Sequence, residues 1–142
     1  MKRVLVDSNI FLDYYLDRRD NFLPLGEFAA QFINRAVKCE YFILVCNATI
    51  WEVSSNLKIS EKDVWGNILG ELKKKNKVEI ASYSHEQVKE ARKISKDKHV
   101  AFNDALFAVI ARDSSIVLVT RDNHFFVELS GIADAVKPED LE

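Results

Sequence analysis

Apolar and polar positions fall in blocks along this chain. Four short runs, RVLVD from residue 3, YFILVCN from 41, KVEIASY from 77 and SIVLVTRD from 115, are rich in branched and aromatic residues. Runs of that length bounded by turn residues read as buried strands. Between them the apolar period changes. GEFAAQFINRAVKC places apolar residues at 28, 29, 32, 33, 36 and 37, the spacing of one helix face. SNIFLDYYLD predicts a helix with Ser8 or Asn9 near its cap. ATIWEVSSNL and EKDVWGNILGELKKKN predict two more, the second with Val64, Trp65, Ile68, Leu69 and Leu72 on one side. SHEQVKEARKISK is polar and amphipathic, whereas FNDALFAVIARD is apolar on nearly every side and should be buried all round. DAVKPEDL has room for a short edge strand. Strands separated by helices need crossover connections, so the pattern predicts an α/β sandwich, a parallel sheet flanked by helices.

The 142 residues fit one domain, 1–142, large enough for a proper core. With 48% hydrophobic and 30% charged residues, the composition is that of an ordinary soluble globule. No stretch approaches the roughly 18 uninterrupted apolar residues of a membrane span. An acid at position 7 interrupts the opening before any signal-peptide core could form, so a cytoplasmic location is expected. Cys39 and Cys46 stand alone, without CxxC or a histidine at ligand spacing, and read as buried structural thiols. A formal net charge of −2 argues against a protein that coats nucleic acid, but not against a nuclease with its basic groups on one face.

Four acids differ from the rest in what surrounds them. Asp7 ends the first strand, between two apolar runs, and Asp122 ends the fourth. Glu52 and Asp104 lie within helical segments, in ATIWEVSS and VAFNDALFAVIA. Each has a plain alternative when taken singly. Asp7 and Asp122 suit turns or helix caps, and Glu52 shares its face with Ala48, Ser55 and Asn56, which solvent could cover. Asp104 needs a compensating partner, either the helix N-terminus beside it or a cation. Taken together they read differently, because ligands of open α/β sheets collect at the carboxyl ends of the strands. Four carboxylates delivered there would repel one another, and Mg²⁺ or Mn²⁺, which prefer oxygen ligands and retain waters, would relieve that repulsion. Such ions activate water and stabilise the charge of a phosphodiester under in-line attack.

VLVDSNIFLDYYL, the ATIWEV acid, FNDALFAVIA and LVTRDNHF resemble, in order, the four motifs of PIN-domain ribonucleases, and the similarity spans essentially the whole chain. Its length is similar to that of stand-alone PIN domains of the VapC toxin type. The resemblance implies a single PIN-like nuclease domain over residues 1–142, a metal-dependent endoribonuclease. It implies Asp7, Glu52, Asp104 and Asp122 as the acidic cluster around one or two Mg²⁺ or Mn²⁺ ions. By the same match Asn9 would orient Asp7 or a metal-bound water through its amide, Thr120 would bond near the fourth acid, and Arg121 could meet a substrate phosphate. It also implies RNA as substrate, a small antitoxin as partner, and a homodimer. One departure stands out: Asn103 precedes the third acid where the family has an apolar residue.

The remaining features are open to two readings. The basic run Lys73–Lys77 is a solvated helix end or an RNA contact. His124 reads as a packing or surface histidine, or one near substrate. Phe11, Tyr14, Tyr15, Phe22, Phe28 and Phe32 outnumber the needs of a small core, and some are candidates for a dimer or antitoxin surface. GxxxxGK, GxGxxG and GxSxG are absent, which removes the usual cues to a nucleotide-binding loop or a serine hydrolase. A receiver domain would need paired acids after its first strand. The rivals that survive are a PIN-like RNA- or protein-interaction module without catalysis and a housekeeping RNA-processing nuclease.

Overall fold

The computed structural model describes residues 2–142, and its elements follow the predicted order. Strand β1 (Lys2–Val6) leads into α1 (Ser8–Leu16) and α2 (Leu25–Val37), then β2 (Tyr41–Val45) and α3 (Asn47–Leu57). Two short helices, α4 (Glu61–Asp63) and α5 (Gly70–Lys74), precede β3 (Val78–Ile80). Helices α6 (His85–Lys98) and α7 (Phe102–Asp113) run up to β4 (Val117–Val119), and α8 (Asn123–Phe126) precedes the edge strand β5 (Ala135–Val136). The five strands form one parallel sheet in the order β3-β2-β1-β4-β5, flanked by eight helices among the described residues.

Period-two alternation sends neighbouring strand residues to opposite faces. Val4, Val6, Ile43, Val45 and Val119 meet α1, α2, α3 and the α4–α5 segment through Phe11, Phe32, Ile50, Val53 and Leu72. Leu5, Leu44 and Leu118 point the other way, into a second core built from α6, α7 and α8 around Phe107, Ile110 and Phe125. This double covering explains why the strands read as continuous apolar runs. Tyr41 reconciles its hydroxyl with burial by donating to Phe32 O at 2.7 Å while its ring stacks on that of Phe32.

The segment 61–76 departs from the single helix its spacing predicts. Between α4 and α5 lies a π-helical turn, Val64–Ile68, closed by Leu69 N donating to Val64 O. In a regular helix Leu69 would stand about 140° round the axis from Val64 and about 60° from Leu72, at the edge of the apolar stripe. The wider turn brings all four into the core, and Gly66 and Gly70 weaken the regular alternative. Cys46 is buried as expected, but Cys39 is exposed, at φ 71° in the turn after α2, so the expectation of two buried thiols holds for Cys46 alone. The basic run ends α5 as an exposed helix end, with Lys73 over the Trp65 ring. Among the described residues no helix is long and apolar enough to cross a membrane.

Gly26 fixes how α1 and α2 meet. A Cβ there would lie 2.5 Å from both Cα and Oδ1 of Asp17 and 2.8 Å from the Asp13 carbonyl oxygen. Two of those atoms are backbone, so the side chains alone cannot make room. Gly26→Ala should therefore lower the stability of the chain by about 1–3 kcal/mol. Thermal unfolding followed by circular dichroism checks this, and an unchanged midpoint would contradict the contact.

Candidate active site

β1 and β4 are adjacent, so their carboxyl ends deliver Asp7 and Thr120 side by side. Asp7 is 3% exposed and caps α1, its Oδ1 accepting from Ser8 N at 2.8 Å. Its Oδ2 accepts from Thr120 Oγ1 at 2.8 Å, and its own N–H donates to Val119 O. The fully buried Thr120 hydroxyl also accepts from Asp122 N at 3.1 Å. Thr120 thereby joins the first and fourth acids, whereas the resemblance placed it only near the fourth. Asp122 in turn caps α8 through His124 N.

Glu52 reaches the same place from α3. Its Oε2 accepts from Ser8 Oγ at 2.9 Å, and its Oε1 from Asn103 Nδ2 at 3.1 Å. Ser8 Oγ also lies 3.4 Å from Asp7 Oδ1, but a hydroxyl has one proton to give, and the shorter contact takes it. Asp104 occupies the first turn of α7. It is half-buried, not enclosed on all sides as its apolar neighbours suggested, because burial begins only at Ala105 and runs to Ala111.

The four acids act on one another electrostatically. Burial pushes the Asp7 carboxyl up to about 6, Thr120 and Ser8 pull it back in part, and the charges of Glu52 and Asp122 add to the rise. Burial likewise lifts Asp104 to about 7, with Asp122, Asp7 and Glu52 all contributing and His124 opposing. Such shifts arise where like charges share a poorly hydrated space. The Cys46 thiol, beside Asp7 and Glu52, is pushed up to about 12 by burial and by those two charges, so it carries no thiolate.

Other residues fall differently. Asn9 makes no hydrogen bond to Asp7 among the described residues, and the adjacent Ser8 takes that part. Arg121 is not free to meet a phosphate. Its guanidinium pairs with Glu139 at 2.5 Å and with the buried Asp13 at 3.4 Å, and it lies over the Phe28 ring. It ties the C-terminal segment to α1 and α2. Burial raises the Asp13 carboxyl above its ordinary value despite Arg121 and Arg18. His124 is exposed and pairs with Glu128 at 3.3 Å.

Two polar residues of the site were not anticipated from sequence. Ser8 read only as a possible cap, and Asn103 only as a departure from a motif. The Ser8–Glu52 and Asn103–Glu52 bonds span 44 and 51 residues, separations over which a local pattern carries no signal.

The donor set is all oxygen, which suits a hard divalent cation and excludes a thiolate site. Among the described residues no three His, Cys, Asp or Glu side chains form a closed ligand group. Magnesium needs none, since it keeps most of its waters and is held by one or two carboxylates.

Both raised acids bind a proton more tightly in the folded chain than in the unfolded one. Their contribution to stability is therefore full below about pH 4 and is lost as pH rises through about 6 for Asp7 and 7 for Asp104. In chelator, the melting temperature should fall between pH 4 and 8. Asp104→Asn should recover about 1–3 kcal/mol at pH 8, allowing for partial solvent screening. Thermal melts across that range check the sign, and a midpoint that rises with pH would contradict it.

The PIN domain family model matches residues 4–130. No curated protein sequence matches the chain. Among solved structures, FitAcB from Neisseria gonorrhoeae is similar at a TM-score of 0.64 and 15% identity, with 97% of this chain and 99% of that one covered. FitAB bound to an IR36 DNA fragment is similar at 0.63 and 16%, covering 98% and 97%. PAE2754 from Pyrobaculum aerophilum gives 0.61 and 22%, covering 97% and 90%. At these identities the structures speak for the fold alone, and the family match, covering most of the chain, is what places it. The chain belongs to the PIN domain family.

Proposed function

We propose that this chain is a metal-dependent endoribonuclease of the VapC toxin type, hydrolysing RNA phosphodiester bonds at Asp7, Glu52, Asp104 and Asp122. PIN domains are in general metal-dependent nucleases. The observation that carries the reading is the bonded convergence of acids at one sheet edge, where Ser8 joins Asp7 to Glu52 and Thr120 joins Asp7 to Asp122, with Asp7 and Asp104 lifted to about 6 and 7, chiefly by burial. Groups so perturbed cluster at functional sites.

In this reading Asp7, Glu52, Asp104 and Asp122 hold Mg²⁺ or Mn²⁺, one or two ions. A bound ion would supply an activated water and counter-charge for the phosphodiester. The chain's own residues prepare the place. Thr120 and the Ser8 amide fix both oxygens of Asp7, leaving lone pairs on each for a further ligand. Ser8 and Asn103 hold Glu52 from two sides. These bonds set the acids before a substrate arrives, which is how a site limits reorganisation during reaction.

FitAB is seen bound to an IR36 DNA fragment. By the resemblance to VapC toxins a small antitoxin partner is proposed here, together with a homodimer. Tyr14, Tyr15, Leu16, Phe22 and Leu23 at the α1–α2 hairpin expose apolar surface, Phe22 at 96%, and suit such a contact. Phe11 and Phe32 are core residues and do not take part.

Purified protein incubated with an end-labelled RNA pool should cut it in Mn²⁺ or Mg²⁺ and not in EDTA. Asp7→Asn and Asp104→Asn should each reduce the rate by at least about a hundredfold while remaining folded. Cleavage that survives both changes places the activity elsewhere. Neither cleavage nor metal binding by calorimetry supports the non-catalytic module.

A further inference from the structure

We propose that Trp51, with Tyr83 and Asn47, forms a stacking pocket for one unpaired nucleobase of an RNA strand beside the four acids. This subsite rests on the nuclease reading and gives it a substrate class, single-stranded RNA. On α3 the core face is taken by Ile50 and Val53, and Trp51 is turned outward, 62% exposed. A tryptophan that exposed loses the burial that ordinarily justifies its size. It lines a shallow, open depression of about 350 Å³ together with Asn47, Ala48 and Glu61, with Tyr83 joined to its wall through Asn47.

That depression adjoins the acids by helix geometry. Ala48 lies three residues before Trp51 and four before Glu52, so both flank it on the helix surface. Its small side chain leaves the space between them open. Across the sheet edge the order is equally direct. β3 pairs with β2 through Ile80 and Val45, and β2 pairs with β1 through Leu44 and Leu5. Tyr83 follows β3, Asn47 opens α3 just beyond β2, and Asp7 follows β1, so all three lie toward the same edge of the sheet. The Tyr83 hydroxyl donates to Asn47 Oδ1 at 3.4 Å, which connects the second aromatic to the pocket wall.

The lining selects a base over other occupants. An aromatic face accepts any base by stacking. Asn47 Nδ2 makes no hydrogen bond among the described residues and is free to donate to a base edge, while the Glu61 carboxylate can accept from base amino groups. The same carboxylate repels phosphate, and in the nuclease reading ions held by the four acids would attract it, so the backbone passes on that side and the base turns toward Trp51. A duplex keeps its bases stacked and cannot fill the pocket.

Binding of a labelled single-stranded RNA of mixed sequence, read by fluorescence anisotropy in Mg²⁺, tests this. Every protein carries Asp104→Asn so that the RNA stays intact. Adding Trp51→Ala should weaken binding about tenfold to a hundredfold, Tyr83→Ala should weaken it less, and Trp51→Phe should stay close to the parent. A duplex of the same sequence should bind weakly and be indifferent to Trp51. Equal binding with and without Trp51→Ala, a duplex held as well as the single strand, or no RNA binding by the parent would each overturn the pocket. Cleavage in Mn²⁺ with Asp104 intact separates this from the nuclease reading. Cutting with an unchanged KM in Trp51→Ala removes the pocket and leaves the nuclease. Trp51-dependent binding without any cutting by the unmodified chain leaves the pocket and removes the nuclease.

Discussion

The hydrogen bonds from Thr120 and Ser8 to Asp7 are what the rest of the site depends on. They hold a 3%-exposed carboxylate at the end of the central strand, where β1 and β4 lie in parallel register. Without donors, burial of that charge would cost several kcal/mol or leave it protonated. With them the acid is retained but strained, its carboxyl raised to about 6 by burial and by its acidic neighbours. The fold thus maintains a local excess of negative charge that it does not itself neutralise. Arg121, the nearest cation in sequence to Asp122, is held instead by Asp13 and Glu139.

This arrangement follows from topology. A parallel sheet sends every strand's carboxyl end to one edge, so β1 and β4 deliver Asp7 and Asp122 together, and the helices that begin there carry the remaining groups. Glu52 lies on the helix after β2, and Asp104 in the first turn of the helix before β4. A central strand covered on both faces is rigid and poorly hydrated. The same covering that stabilises the sheet is therefore what perturbs the acids at its edge. Stability and electrostatic strain have one source here.

The sheet and its order of elements were legible because both faces are buried: RVLVD, YFILVCN and SIVLVTRD carry little else than apolar residues. Where two packings of one segment compete, periodicity was a poorer guide. The apolar stripe of the 61–76 segment was legible, but the π turn at Val64–Ile68 within it is a change of winding that no local period reports. Cys39 illustrates the same limit, since an isolated thiol reads as buried, whereas this one follows α2 in a left-handed turn at the surface.

The sequence by itself determined the parallel α/β fold and which acids stand apart, since an acid within apolar text is visible at any position along a chain. Only the tertiary structure decided how those acids are held. Thr120 was expected near the fourth acid, and the fold makes it the link between that acid and the first, 113 residues away. Ser8 replaced Asn9 as the partner of Asp7, and Asn103, a mismatch in a motif, became a partner of Glu52. Arg121 passed from a candidate phosphate contact to a structural ion pair. The Ser8–Asp7 bond is a local cap, but the other three share one physical reason. Residue type and local burial are properties of a neighbourhood in sequence, whereas a hydrogen bond or ion pair between distant segments exists only once the sheet has brought their ends together.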